Sequence, residues 1–348
     1  MNLYRLQKLS SRVRSPRLKL LGLWALHVTG RRYVGVYLDP VLSCNLRCRM
    51  CYFSDPERRK ELHGRFTQEG LTRIADALFH RALKLQIGCG AEPTLYGELP
   101  WLIAQGKQRG VPYVSVTTNG QLLTAARLQE LVDAGLDELT ISLHGTTRET
   151  YEHLMQGASY DKFLRLLRAI RRVREGGAKL NVRVNYTLNS DNVEELSQFD
   201  AVFEDVPIDV LQLRPVQKIG ETAYHDFSMQ RIAACYDSVL LPLVARCKER
   251  GTLCLIPSRE NLAVLAGDAG RAGDAAKSNL QREAEELAYI NVTPGAIWQA
   301  DFDLQTDTFE TYSQRTHRAR HMLALALGRA RAKAPAEGRT KKLNYVIR

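Results

Sequence analysis

The sequence predicts an α/β fold, a partial (β/α)6 TIM-like barrel of parallel strands, and three observations lead there. After Arg32, short β-branched or apolar runs alternate with amphipathic stretches of helix length. Glycines close several of those stretches just ahead of the next run, as Gly110, Gly135 and the pair Gly176-Gly177 do. Six such strand–helix units follow one another, short of the eight that close a complete barrel.

The elements follow in order. Residues 1–32 form a basic N-terminal segment whose apolar stretch, 18–28, is interrupted by Lys19 and His27 and followed by no small-residue cleavage site. That stretch is too short to span a bilayer and reads as an amphipathic helix, packed on the body or lying on a membrane surface. Residues 33–226 form the core domain. Its strands are expected at 33–38, 83–87, 113–117, 138–143, 180–187 and 210–213, and its helices at 68–79, 99–107, 125–133, 160–174 and 193–203. Parallel strands joined this way take right-handed crossovers, and the chemistry of such barrels gathers at the C-terminal strand ends. From about Phe227 to the end, 227–348, a mostly helical extension is expected. It has helices at 229–250, 275–287 and 316–333, a hairpin at 289–298 around Thr293-Pro294-Gly295, and a mobile loop at 266–274.

Composition narrows the function. With 348 residues, 45% hydrophobic and 25% charged, the chain is globular rather than disordered. Seven cysteines, three of them within eight positions, argue against a secreted disulfide framework. They favour a metal or catalytic role in the reducing cytoplasm. The formal charge of +11 is uneven: residues 1–32 carry +8 and residues 315–348 carry +9, which leaves −6 for the middle. Basic ends suit the phosphates of a membrane surface or RNA, or an acidic partner, although solvated basic termini are the simpler reading. No aromatic-interleaved basic patch signals base stacking.

The cysteines stand in the run 39–52, where Cys44, Cys48 and Cys51 are spaced C-x3-C-x2-C. Three thiolates on a loop can wrap three corners of a cubane cluster, whereas a closed iron–sulfur site takes four. The fourth iron is then free to bind something else. The alternative is a structural zinc site with Cys89 or His63 as fourth ligand, but no second cysteine knuckle exists to pair with the first.

Here the chain resembles the radical S-adenosylmethionine (radical SAM) superfamily, whose signature is this spacing on the loop after the first strand. The resemblance spans roughly 33–217 and rests on several motifs in order. It implies one [4Fe–4S] cluster on Cys44, Cys48 and Cys51, with S-adenosyl-L-methionine chelated at the open iron. It also implies reductive cleavage to a 5′-deoxyadenosyl radical that takes hydrogen from an unidentified substrate, and an electron donor such as flavodoxin or ferredoxin. The cofactor carries the hard chemistry and the protein orients it. A non-catalytic metal-binding protein, docking through its basic ends, is the alternative class.

Further residues take their roles from the same resemblance. Gly90-Ala91-Glu92-Pro93 looks like the family's Gly-Gly-Glu-Pro turn, with Ala91 in place of the second glycine. Such a turn lets the backbone approach the methionine ammonium. Thr117 and Asn119 end the third strand. Ser142 ends the fourth and matches a residue near the methionine carboxylate or ribose; His144 shares its face if the strand persists, as a catalytic contact to substrate or cofactor or else as a cap of the helix that begins near Thr147. On the fifth strand Arg183, Asn185 and Thr187 alternate with Val182, Val184 and Tyr186, giving one polar face. Arg183 resembles a carboxylate partner and Asn185 a ribose contact; an ordinary buried salt bridge is the alternative for Arg183. Met50 is placed beside the adenine, and the run 213–216 behind it, with Arg214 in reach of the cofactor or the substrate. Cys89 is a candidate hydrogen-atom donor or a packing residue. Cys235, Cys247 and Cys254 form no short-spaced pair, so the extension is expected to carry no auxiliary cluster.

Overall fold

A computed structural model describes residue 4 and residues 12–218, 220–266, 278–333 and 345–347. The loop expected at 266–274 lies outside the described residues apart from Ala266. The barrel strands are β1 (Val34–Leu38), β2 (Ala82–Ile87), β3 (Val114–Thr118), β4 (Glu138–Leu143), β5 (Asn181–Leu188) and β6 (Val210–Pro215). They pair in sequence order and all in parallel. Each expected strand is present, displaced by no more than two residues at either end.

Helices cover the outer face of the sheet. On α6 (Tyr160–Glu175), Phe163, Leu166, Leu167, Ile170 and Val173 are buried at helical spacing. Ser159 caps its first turn by accepting from the amide of Lys162. Thr67 and Thr124 cap α2 (Gln68–Leu78) and α4 (Ala125–Asp133) in the same way. Beneath the helices, Val34, Val36, Leu85, Ile87, Leu139, Ile141, Val182 and Val184 point outward and are buried. The remaining crossover helices are α3 (Leu99–Gln108) and α5 (Arg148–Leu154). The stretch expected as one helix at 193–203 folds as a 3-10 segment, Glu194–Gln198, and a short α turn, Phe199–Val202.

The inner face is different. The residues on it include Gly35 and Tyr37; Lys84 and Gln86; Ser115 and Thr117; Glu138, Thr140 and Ser142; Asn181, Arg183, Asn185 and Thr187; and Gln212 and Arg214. A packed barrel fills that space with branched apolar side chains; here Val210 is the apolar exception on β6. At the lower end of this face the Tyr4 ring meets Tyr113 edge-on and the Tyr4 hydroxyl donates to Glu138.

The extension joins the sheet. After α7 (Leu241–Glu249), strand β7 (Leu253–Pro257) pairs in parallel with β6, and β10 (Tyr345–Ile347) pairs antiparallel with β7. After α8 (Asn279–Glu286), the expected hairpin is β8 (Tyr289–Thr293) and β9 (Ala296–Ile297), and β8 also runs parallel to β1. The sheet is therefore ten-stranded and open, in the order β10-β7-β6-β5-β4-β3-β2-β1-β8-β9. Beyond α9 (Phe309–Arg315) lies α10 (Arg318–Ala326), shorter than expected, and it packs on α1 (Pro16–Val28). Leu20, Ala284, Leu287, Met322 and Leu325 form the small core between them. No helix among the described residues is long and apolar enough to cross a membrane.

Candidate active site

The C-terminal strand ends meet at a cavity of about 510 Å³, a size ordinary for small-molecule sites. Cys44, Cys48, Met50 and Cys51 line it from the loop after β1. Gly88, Cys89, Gly90, Ala91 and Glu92 line it from the turn after β2. Thr117, Asn119, Ser142, His144, Thr187 and Arg214 contribute from β3 to β6. Residues expected from several separate motifs thus share one wall.

Hydrogen bonds fix the cysteine loop from outside. The amides of Arg47 and Arg49 donate to the carbonyls of Gln156 and Leu154, each at 2.9 Å. The Arg47 guanidinium donates to the carbonyls of Cys44 and Leu46, both at 2.7 Å. The Asn119 amide reaches Asn45 Oδ1 at 2.9 Å and Cys44 Sγ at 3.8 Å. Burial pushes all three thiols upward, Cys44 to about 11 and Cys48 well beyond the usual thiol range, and neighbouring thiols reinforce the effect at both. They stay protonated until a metal displaces the protons.

Two carboxylates that sequence reasoning did not single out in this role hold the turn after β2. Asp39, at the end of β1, accepts the amides of Cys89 at 2.7 Å, Gly90 at 3.0 Å and Ala91 at 3.4 Å. Glu92, expected to touch the cofactor, instead spends its carboxylate on the hydroxyls of Thr94 and Thr118, both at 2.6 Å, and on the amides of Thr94 and Asn119. Its own amide donates to the Ser43 carbonyl at 2.9 Å, which ties turn to cysteine loop. With the turn's amides directed at Asp39, the Gly90 carbonyl takes the Tyr52 hydroxyl. Gly88 needs its lack of a side chain: φ is +83° and a Cβ would meet the Thr117 carbonyl oxygen at 2.4 Å.

His144 lines the cavity with Nδ1 buried and without a hydrogen-bond partner. Burial, helped by the nearby Arg214 charge, lowers it to about 4, so the imidazole is neutral near pH 7. Cys89 has surface open to the cavity yet sits deep within the protein, and burial raises its thiol. Arg183 and Asn185 do not line the cavity. They lie lower on β5, where Arg183 donates to Asn185 Oδ1 at 3.0 Å, to the Tyr4 hydroxyl at 3.3 Å and to Gln212 Oε1.

Among the described residues no three Cys, His, Asp or Glu side chains are grouped around a single metal ion. A tetrahedral zinc would draw its sulfurs to within roughly 4 Å of one another. His63, weighed as a zinc ligand, is exposed and outside the cavity. Three thiols, the Gly88 turn and the unpartnered His144 Nδ1 line one cavity, a donor set that fits a cluster with a polar ligand beside it.

The comparisons with known proteins agree. The profile of the Radical SAM superfamily matches residues 40–199. Over those residues the chain carries a radical SAM domain. The radical SAM cofactors are a [4Fe–4S] cluster and S-adenosylmethionine. A probable GTP 3′,8-cyclase of Metallosphaera sedula is 34% identical over 179 residues, 51% of this chain and 54% of that protein. One of Saccharolobus solfataricus is 28% identical over 221 residues, 62% of this chain and 68% of that protein. The chain thus spans about half the length of the first of these relatives. Among solved structures, native anSMEcpe with bound AdoMet and the Cp18Cys peptide superposes with a TM-score of 0.56 at 14% identity, covering 84% of this chain and 83% of that one. Streptococcus suis SuiB bound to S-adenosylmethionine gives 0.57 at 14% identity, covering 81% and 65%. At that identity the likeness is one of fold.

If Asp39 aims the radical SAM turn, removing its charge loosens the cofactor without emptying the cysteine loop. Asp39→Asn is predicted to weaken S-adenosylmethionine binding roughly ten- to a hundredfold, the worth of a charged hydrogen bond. Calorimetric titration of reconstituted protein measures this, with iron content as the control. Unchanged affinity at full iron loading contradicts the role.

Proposed function

We propose that this protein is a radical SAM enzyme that reductively cleaves S-adenosylmethionine and uses the resulting radical on a substrate held inside the barrel. The observation that carries the reading is the meeting of Cys44, Cys48 and Cys51 with the Gly88–Glu92 turn on one cavity. A bound [4Fe–4S] cluster supplies the electron that breaks the sulfonium and yields the 5′-deoxyadenosyl radical. The chain's own part is positional. The three cysteines hold three irons, and Asp39 and Glu92 keep the turn facing the cofactor. Ser142 and Arg214 offer polar contacts to its methionine or ribose portion, and Met50 packs beside the adenine. Asn185 and Arg183, one level down, support the floor on which substrate rests, while Cys89 and the neutral His144 sit where a hydrogen atom or proton would be exchanged. The relatives, probable GTP 3′,8-cyclases, suggest GTP as a substrate. The match covers about half of the first relative's length, so the proposal stops at radical generation.

The test is direct. Anaerobically reconstituted protein, reduced with dithionite, is expected to convert S-adenosylmethionine to 5′-deoxyadenosine, and Cys48→Ala to lose both iron and activity. A fully loaded wild-type protein that makes no 5′-deoxyadenosine with candidate substrates present contradicts the reading.

A second reading concerns where the enzyme works. The α1–α10 packing brings together two basic regions that lie at opposite ends of the sequence. On α1 the side turned away from that packing carries Leu18, Leu21, Leu26 and Val28, all exposed, and Leu327 is exposed just past α10. Arg17 and Lys19 flank that stripe by helical geometry, and no ion pair engages either among the described residues. An apolar stripe between cations suits an anionic lipid surface. Co-sedimentation with phosphatidylglycerol vesicles is expected, and it should fall roughly tenfold in Leu18→Glu/Leu21→Glu. Failure to bind those vesicles at low salt overturns this reading alone.

A further inference from the structure

Below the cofactor cavity the barrel holds more positive charge than its visible partners balance. Below Arg214 at cavity level, the inner face carries Lys84 and Arg183 against one carboxylate, Glu138. Glu138 is fully buried and already engaged by Lys84 at 3.6 Å, the Tyr113 hydroxyl at 2.9 Å, the Thr140 hydroxyl at 3.3 Å and Tyr4. The rim carboxylates Asp39 and Glu92 are taken up by amides and hydroxyls. Arg183 donates only to neutral acceptors, and among the described residues no carboxylate stands within 4.0 Å of it. Among the described residues three of its five N–H groups have acceptors.

These groups face a hollow. Tyr37, on the inner face of β1, remains 37% exposed although its ring meets Tyr289 edge-on inside the barrel. The Lys84 side chain keeps 12% of its surface, and Arg183, Asn185 and Gln212 are all partly exposed. The cofactor's carboxylate does not account for the deeper cations. Arg183 lies four residues below Thr187 on β5, and Lys84 four below Gly88, the cavity-lining positions of those strands. At strand rise that is roughly 13 Å. Arg214 is at cavity level, within reach of the cofactor; deeper down Lys84 shares Glu138, and Arg183 brings the positive charge that a second anion would balance. A buried cation without a counter-charge is costly, and an anionic occupant removes that cost.

We propose that the substrate is a small molecule bearing a carboxylate or phosphate, which stands in the barrel beneath the cofactor with its anionic group on Arg183 and Lys84. The proposal rests on the radical SAM reading for its geometry, and the test separates the two. Reconstituted protein with S-adenosylmethionine is titrated calorimetrically with inorganic phosphate and, separately, with succinate, in a buffer free of competing anions. One anion per chain is expected, and the arm that binds tells phosphate from carboxylate. Affinity should drop roughly ten- to a hundredfold in Lys84→Met and in Arg183→Gln. Arg183→Lys, which keeps charge but not the planar fork, should fall between them and wild type. Thermal melting and the cluster's absorbance report folding, and if the Arg183 variants do not fold, Lys84→Met and the wild type decide. Neither anion binding to wild type, or binding unchanged in every folded variant, overturns the proposal. Formation of 5′-deoxyadenosine by the same wild-type sample is read in parallel. Cleavage without anion binding sinks the anion site alone, and anion binding without cleavage sinks the radical reading and leaves the site.

Discussion

Three thiols can share a cluster and leave one corner free only if the loop that carries them is held still, and hydrogen bonding does that holding here. The loop is tied to 154–156 through two amides and to the β2 turn through the Glu92 amide on Ser43. The turn in turn hangs on the Asp39 carboxylate, which accepts three successive backbone amides. Asp39 and Glu92 are buried, where a charge-assisted hydrogen bond is strong and a missing partner is expensive. Loop and turn therefore behave as one rigid rim.

That rim sits on a barrel whose inside is polar, and the two facts belong together. Apolar packing on the outer face supplies the stability, through the stripes of α2, α4 and α6 against β1 to β6. The inner face is thereby released from packing and can carry Lys84, Glu138, Arg183 and the amides around them. Tyr4, far from the site in sequence, reaches the chamber's base through Glu138 and Arg183.

Much of this was legible in the residues. The alternation on β5 announced a polar inner face, and the structure has Val182, Val184 and Tyr186 buried with Arg183, Asn185 and Thr187 between them. The cysteine spacing and the glycine turn marked two walls of the cavity. What stayed hidden depends on contacts between distant parts of the chain. Asp39 and Glu92 look like ordinary acids until the amides they accept are located, and Tyr4 gives no local sign of reaching Glu138. Leu253–Pro257 is a short apolar run with no alternation, so its pairing to β6 is fixed only by the tertiary fold. The 289–298 hairpin was readable as a hairpin, while its parallel pairing to β1 was not.

The account turns on an iron that no side chain ligates. Electron paramagnetic resonance of the dithionite-reduced, reconstituted protein tests this most directly, recorded before and after S-adenosylmethionine is added. A reduced [4Fe–4S] signal whose g values move on addition is the result the account requires, since the cofactor then binds the open corner. A signal indifferent to S-adenosylmethionine, or purified protein holding zinc with four side-chain ligands and no cluster, would contradict it.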